Sequence, residues 1–368
     1  MFGSRFSFTV LILVLSSVSL VACSDDRDRG PGDDGSVPFD SGVPTDGSSP
    51  TDSGGSDGAV PPADATVVDS PLVDPGCVDG MYSEALPTPS ADISDLISGY
   101  SPGAFQGFID GILDRRYPIG GYLVDGGRTN TSFGMDCDRL FVGSATPPID
   151  QVFSRLNTVV HECGHIYDFT FGGFGENGYA VKPALTLTCS MGDTTDRGGQ
   201  TFARSLIDTD DYAMLRPGCD GARDPGCDFY WDVYIDPATD GSDQGFNSVL
   251  EEALQYVNSL ATEYAFTDQM TAGQRTTAKD GILTFLWYIE RYLRMARLDF
   301  PAAHAFILGD ACWRETILTI WGRAWLFLEI TRDTTSLGIN DAALFPLVED
   351  PALVEEIQRV RDAHGCTP

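Results

Sequence analysis

Histidine is scarce in this chain, with four among 368 residues. Basic residues are also short: 23 Lys and Arg face 54 Asp and Glu, a formal net charge of −31. A surface of that sign repels phosphate backbones and anionic lipid, which argues against nucleic acid as a partner. CxxC pairs are missing, so no separate structural zinc of thiolate type is expected. No internal repeat is present. Beyond residue 22 a long apolar run free of charge is lacking too. The apolar stretch 312–330 carries Arg314, Glu315, Arg323 and Glu329 and reads as a buried helix. Large apolar residues are almost missing from 24–76, which is built of Asp, Gly, Ser, Pro and Thr. Such a segment cannot bury enough surface to offset chain entropy and is expected to stay disordered. It carries 12 acidic and 2 basic residues, so about two thirds of the excess charge belongs to the residues beyond 76.

Arg5 precedes an apolar run from Phe6 to Val21 that ends in Leu20-Val21-Ala22-Cys23. The run is too short and too N-terminal for a stable span and reads as an export signal over residues 1–22. The tetrapeptide resembles a bacterial lipobox. That resemblance implies cleavage before Cys23, lipidation of Cys23 and attachment to the cell envelope. Ser24, rather than Asp, is compatible with the outer membrane. Residues 23–76 then form a tether, roughly 40 Å long as a flexible coil.

Eight cysteines remain: Cys77, Cys137, Cys163, Cys189, Cys219, Cys227, Cys312 and Cys366. An even number in an exported chain predicts disulfides, with pairing left open. Cys219 and Cys227 are near neighbours. Cys77 and Cys366 mark the two ends of the expected folded region, 77–368.

Two of the four histidines stand in His161-Glu162-Cys163-Gly164-His165. Apolar residues at Val152, Phe153, Leu156, Val159, Val160, Cys163, Ile166 and Tyr167 show the three-and-four spacing of one buried helix face. Pro147-Pro148 suits its first turn and Gly172-Gly173 stops it. Four residues apart, both imidazoles project from one side of the helix and can grip one Zn²⁺, with Glu162 beside them. Cys163 points the other way and reads as a disulfide or core residue. Gly164 allows close approach of another backbone.

Ile93–Leu113 reads as a helix broken near Ser101-Pro102-Gly103. The runs Gly121–Val124 and Leu140–Gly143 read as short strands before the histidine helix. A Gly-, Asp-, Pro- and Cys-rich insertion is expected near 189–245. Helical patterns follow over Phe246–Phe266, Ala278–Leu298, Cys312–Ile330 and Pro351–Ala363. The fold class expected is α+β, with a small strand region and a mostly helical C-terminal half.

A third ligand is sought in Leu250-Glu251-Glu252-Ala253-Leu254. Adjacent carboxylates on an otherwise apolar helix need a partner, because burying a bare charge costs several kcal/mol. The pentapeptide at 161 and this second string resemble the two motifs of the zincin metallopeptidases, of the gluzincin branch. The metzincin branch is excluded because Phe171 stands where its third histidine would be. The resemblance implies a zincin fold and Zn²⁺ held by His161, His165 and Glu252. A one-residue shift would substitute Glu251. It implies hydrolysis of a peptide or protein substrate, with Glu162 as general base. Tyr256, Tyr264 and His304 are candidates for stabilising the oxyanion, and Glu263 and Asp168 for orienting a ligand. The competing expectation is an envelope lipoprotein that uses the same scaffold to bind a partner without cleaving it.

Overall fold

The computed structural model describes residues 65–66, 83–130, 136–172, 176–190, 246–271 and 273–366. The export signal, Cys23, Cys77, Cys219 and Cys227 lie outside these residues, as does nearly all of the tether and of the Cys-rich stretch. Strand β1 (Ala65–Thr66) pairs antiparallel with β2 (Ser83–Glu84), so two residues of the 23–76 segment are paired with the folded region.

Helix α1 (Ser94–Ser98), a 3-10 turn at Pro102–Ala104 and α2 (Phe105–Arg116) come first among the helices. The chain breaks where Pro102 and Gly103 predict it. Next come α3 (Pro118–Thr129) and α4 (Cys137–Val142), on the two stretches expected to be strands. That expectation is overturned, and the reasons are local. Pro118 occupies the first helical turn, where its missing N–H costs nothing. Gly143, expected to end the second strand, is instead a left-handed helix C-cap with φ of 74°. Apolar runs of four residues fit either period, and here the helical one won.

Helix α5 (Ile149–Asp168) carries the histidine motif, with buried Val152, Leu156, Val159, Val160 and Cys163 on its inner face. The strands lie after it rather than before it. Strands β3 (Glu176–Lys182) and β4 (Leu185–Ser190) form an antiparallel hairpin across Pro183-Ala184. Helices α6 (Phe246–Ala265), α7 (Ala278–Asp299), α8 (Pro301–Gly309), α9 (Ala311–Ile330), α10 (Asp341–Val348) and α11 (Pro351–His364) complete the chain. The fold is α+β in the general sense: mostly helical, with small two-stranded pairings. Among the described residues no helix is long and apolar enough to cross a membrane.

The centre of the fold is the pair α5 and α6. Asn157 meets Glu263, His161 meets Ser259, Gly164 meets Gln255 and His165 meets Glu251. As numbers rise on one helix they fall on the other, so the two run antiparallel. Gly164 permits this: a Cβ there would overlap the Gln255 amide oxygen. What approaches the glycine is thus a side chain rather than a backbone. On its other flank α5 is crowded by α3, through Gly126 against the Tyr167 ring and Gly127 against Cys163. Cys163 is disulfide-bonded to Cys137, which staples α4 to the histidine helix. A second disulfide, Cys189–Cys312, ties β4 to α9.

Further from the motif, Arg323 on α9 is fully buried and donates to the Glu84 carboxylate, to Asn258 Oδ1 at 2.8 Å and to the Tyr117 hydroxyl at 3.0 Å. A buried ion pair adds little net stability against apolar replacements, but losing one member is costly. Here it fixes where the chain enters the folded region.

Candidate metal centre

Two helices build the site. From α5 come His161, Glu162 and His165, with exposures of 1, 2 and 7%. From α6 come Glu251 and Glu252, the latter 8% exposed. Nε2 of His161 and Nε2 of His165 lie 3.0 Å apart. The Glu252 Oε2 atom stands 3.5 Å from each of them. These three atoms form a compact triangle, and they are the ligand-type cluster found among the described residues. A tetrahedral Zn²⁺ with bonds of about 2.0–2.1 Å separates its ligand atoms by roughly 3.4 Å. The observed triangle matches one face of such a tetrahedron, with donors of the type zinc prefers. The residues present fit the ion.

The opposite sides of both rings are also held. His165 Nδ1 lies 2.7 Å from both carboxylate oxygens of Glu251. His161 Nδ1 lies 3.0 Å from Ser259 Oγ. The His161 ring meets Tyr256 edge to face at 5.0 Å, and Tyr256 stacks on Phe285 at 4.7 Å. In each histidine one nitrogen faces the triangle and the other is anchored to α6. Outer partners of this kind orient a metal-binding ring and fix its tautomer.

The electrostatics favour positive charge here. Burial works against a charged His165, yet the Glu251 and Glu252 carboxylates outweigh it and hold the ring well above the usual histidine range. Burial likewise opposes ionised Glu252, but His165 and His161 overcome that and pull it well below the usual carboxylate range. Asp168 is pushed well up, first by burial and then by the neighbouring Glu251 charge. Its carboxylate accepts from the Ala180 N–H and from Gln255 Nε2 at 2.8 Å, linking α5 to β3 and α6.

Of the four residues singled out for chemistry, the structure brings His161, His165 and Glu252 together, and Glu162 is buried next to His161 on α5. Between the two candidate carboxylates, Glu252 faces both Nε2 atoms, while Glu251 backs His165. Glu263 accepts from Asn157 and Thr276. Asp168 sits one step behind, against Glu251. Of the oxyanion candidates, Tyr256 is at the site. His304, on α8, has Glu356, Arg297 and Arg359 as its charged neighbours and lies elsewhere. Ser259 and Gln255 are additions that sequence reasoning does not reach. Their signal is a polar stripe, Glu251, Gln255, Asn258, Ser259 and Thr262, on an otherwise apolar helix.

A surface cavity of about 530 Å³ is lined by Asp110, Asp114, Tyr122 and Asp125 on α2 and α3. It includes none of the site residues. Compared with known proteins, the chain matches no family model, no curated sequence and no solved structure.

Proposed function

We propose that this chain is a zinc-dependent peptide hydrolase of gluzincin type, exported and anchored by lipid on Cys23. The observation that carries the reading is the convergence of His161 Nε2, His165 Nε2 and Glu252 Oε2 on one point, beside Glu162 and from two antiparallel helices. Zn²⁺, when bound, supplies a Lewis acid that polarises a carbonyl and lowers the pKa of a water.

The chain's own residues supply the rest. His161 and His165 present lone pairs because Ser259 and Glu251 occupy their other nitrogens. Glu162 takes up the proton released by the attacking water on its carboxylate and delivers it to the departing amine. Buried Val159, Val160 and Ile166 flank the motif and limit water, which strengthens each electrostatic contact.

The test is elemental analysis of the purified chain, followed by digestion of a peptide library. About one zinc per chain, lost in His161→Ala and weakened in Glu252→Ala, is expected. Glu162→Gln should keep the metal and lose cleavage. Wild type and Glu162→Gln giving identical digests would move the protein to a binding role. A correctly folded wild type without zinc would end the metal reading altogether.

A further inference from the structure

The two histidines are backed unequally. His165 has a carboxylate behind it, Glu251 at 2.7 Å, whereas His161 has a neutral hydroxyl, Ser259 Oγ at 3.0 Å. Ser259 is 4% exposed, so bulk water does not compete for that contact. It lies seven residues beyond Glu252 on α6, two turns along the same face. One helix therefore carries the third ligand and both backing groups.

A neutral imidazole holds one proton, on Nδ1 or on Nε2. A hydroxyl donates or accepts, so Ser259 alone does not choose between them. The other end of the ring does. His161 Nε2 is 3.0 Å from His165 Nε2 and 3.5 Å from Glu252 Oε2, where a lone pair is needed for a cation. Nδ1 then carries the hydrogen and Ser259 Oγ accepts it. The edge-on Tyr256 ring at 5.0 Å restricts rotation of the imidazole, so a flipped ring is not an easy escape.

We propose that Ser259 is a positioning residue that holds His161 in the Nδ1–H tautomer and aims its Nε2 at the metal. This rests on the metal-centre reading above and deepens it. The choice of serine has a physical reason. Glu251 and Glu252 already stand within 3.5 Å of the imidazole nitrogens, and Glu252 is more than nine-tenths buried. A hydroxyl satisfies the Nδ1–H without adding another anion to desolvate.

The test uses the full chain as wild type, Ser259→Ala, Ser259→Val and Ser259→Thr. Zinc affinity is measured by chelator competition, and folding of each metal-free protein by thermal unfolding. Removing an outer partner of a metal-bound histidine typically weakens affinity 10–100-fold. Ala and Val should lose about tenfold, and Thr, which keeps the hydroxyl, should stay within about threefold of wild type. Long-range ¹H–¹⁵N correlation spectra of the metal-free wild type should already show His161 protonated at Nδ1, before any metal imposes that tautomer. They decide the matter even if the variants fold poorly. Wild-type affinity in Ala and Val, equal loss in Thr and Val, or protonation of metal-free His161 at Nε2 in place of Nδ1 each overturns the role of Ser259 and leaves the metal centre standing. A wild type that takes up no zinc removes both.

Discussion

Gly127 on α3 lies flat against Cys163 on α5, so close that a Cβ would overlap the Cys163 carbonyl oxygen. The obstacle is backbone, which cannot swing aside. Gly127→Ala should therefore push α3 off the histidine helix and destabilise the protein by roughly 1–3 kcal/mol, as overpacking does. Gly107, on α2, has nothing within 4 Å of its virtual Cβ. The same substitution there should stabilise by about 0.5–1 kcal/mol through helix propensity. Denaturant unfolding of the two variants checks both signs.

The Cys137–Cys163 bridge closes a loop across a sequence separation of 26. A bridge of that span restricts the unfolded chain, and removing it should cost about 2–4 kcal/mol. The double variant Cys137→Ala/Cys163→Ala checks this by urea unfolding. It should also lose zinc more readily, because Cys163 stands between the two histidines. Unchanged urea midpoints would show that packing around Gly127 suffices without the bridge.

Zinc uptake should release protons. Burial opposes it, but the Glu251 and Glu252 carboxylates raise metal-free His165 well above the ordinary histidine range, which favours the imidazolium with a second ring proton. That proton must leave before Nε2 can bind a metal. Apparent zinc affinity should rise about tenfold per pH unit through neutrality, until the raised pKa is passed. The metal-free protein should show the opposite trend in stability. The His165–Glu251 interaction contributes fully below the unfolded histidine pKa and is lost as pH rises through the raised folded value. Isothermal titration in buffers of different ionisation enthalpy counts the protons. A pH-independent affinity across this window would refute the charged resting state.

Glu290 on α7 is completely buried, and neither of its carboxylate oxygens has a hydrogen-bond partner among the described residues. Burial, then Asp350 and Glu356, pushes its pKa well up. A carboxyl raised in the native state costs nothing below the unfolded pKa, where it is neutral in both states. It lowers stability progressively as pH climbs from the unfolded toward the folded value. Glu290→Met, apolar and of similar volume, should gain roughly 1–3 kcal/mol by removing the unsatisfied group. The gain should be larger at pH 8 than at pH 5, which paired thermal melts would reveal.

The candidate site is legible in the sequence because each of its residues carries a pattern. His161 and His165 show the i, i+4 spacing on a helix whose apolar face is unmistakable. Glu251-Glu252 stands out as charge on an apolar helix, and the geometry gives the pair two different jobs. The long helices α5, α6, α7, α9 and α11 are legible for the same reason of sustained periodicity. The short ones are not. Leu123 and Val124, or Phe141 and Val142, say apolar without saying period, and only contact with Cys163 and Tyr167 settles them as helix. The hairpin at 176–190 is hard to read because its β3 is buried along four consecutive positions and lacks alternation. Ser259 escapes notice because a serine in a helix is common, and its meaning arises only opposite His161.

The Glu84–Arg323 pair carries a mechanical consequence. A pull on the chain from its N-terminal side reaches the folded region at β2, where the fully buried Glu84 is clipped to α9. Arg323 in turn is braced by Asn258 and by Tyr117, at the start of α3. Load entering there is borne by a clamp across α3, α6 and α9, anchored on α6 about two turns from Glu251. The histidine helix bears it only indirectly, so tension entering at β2 can be taken up without drawing His161 and His165 apart.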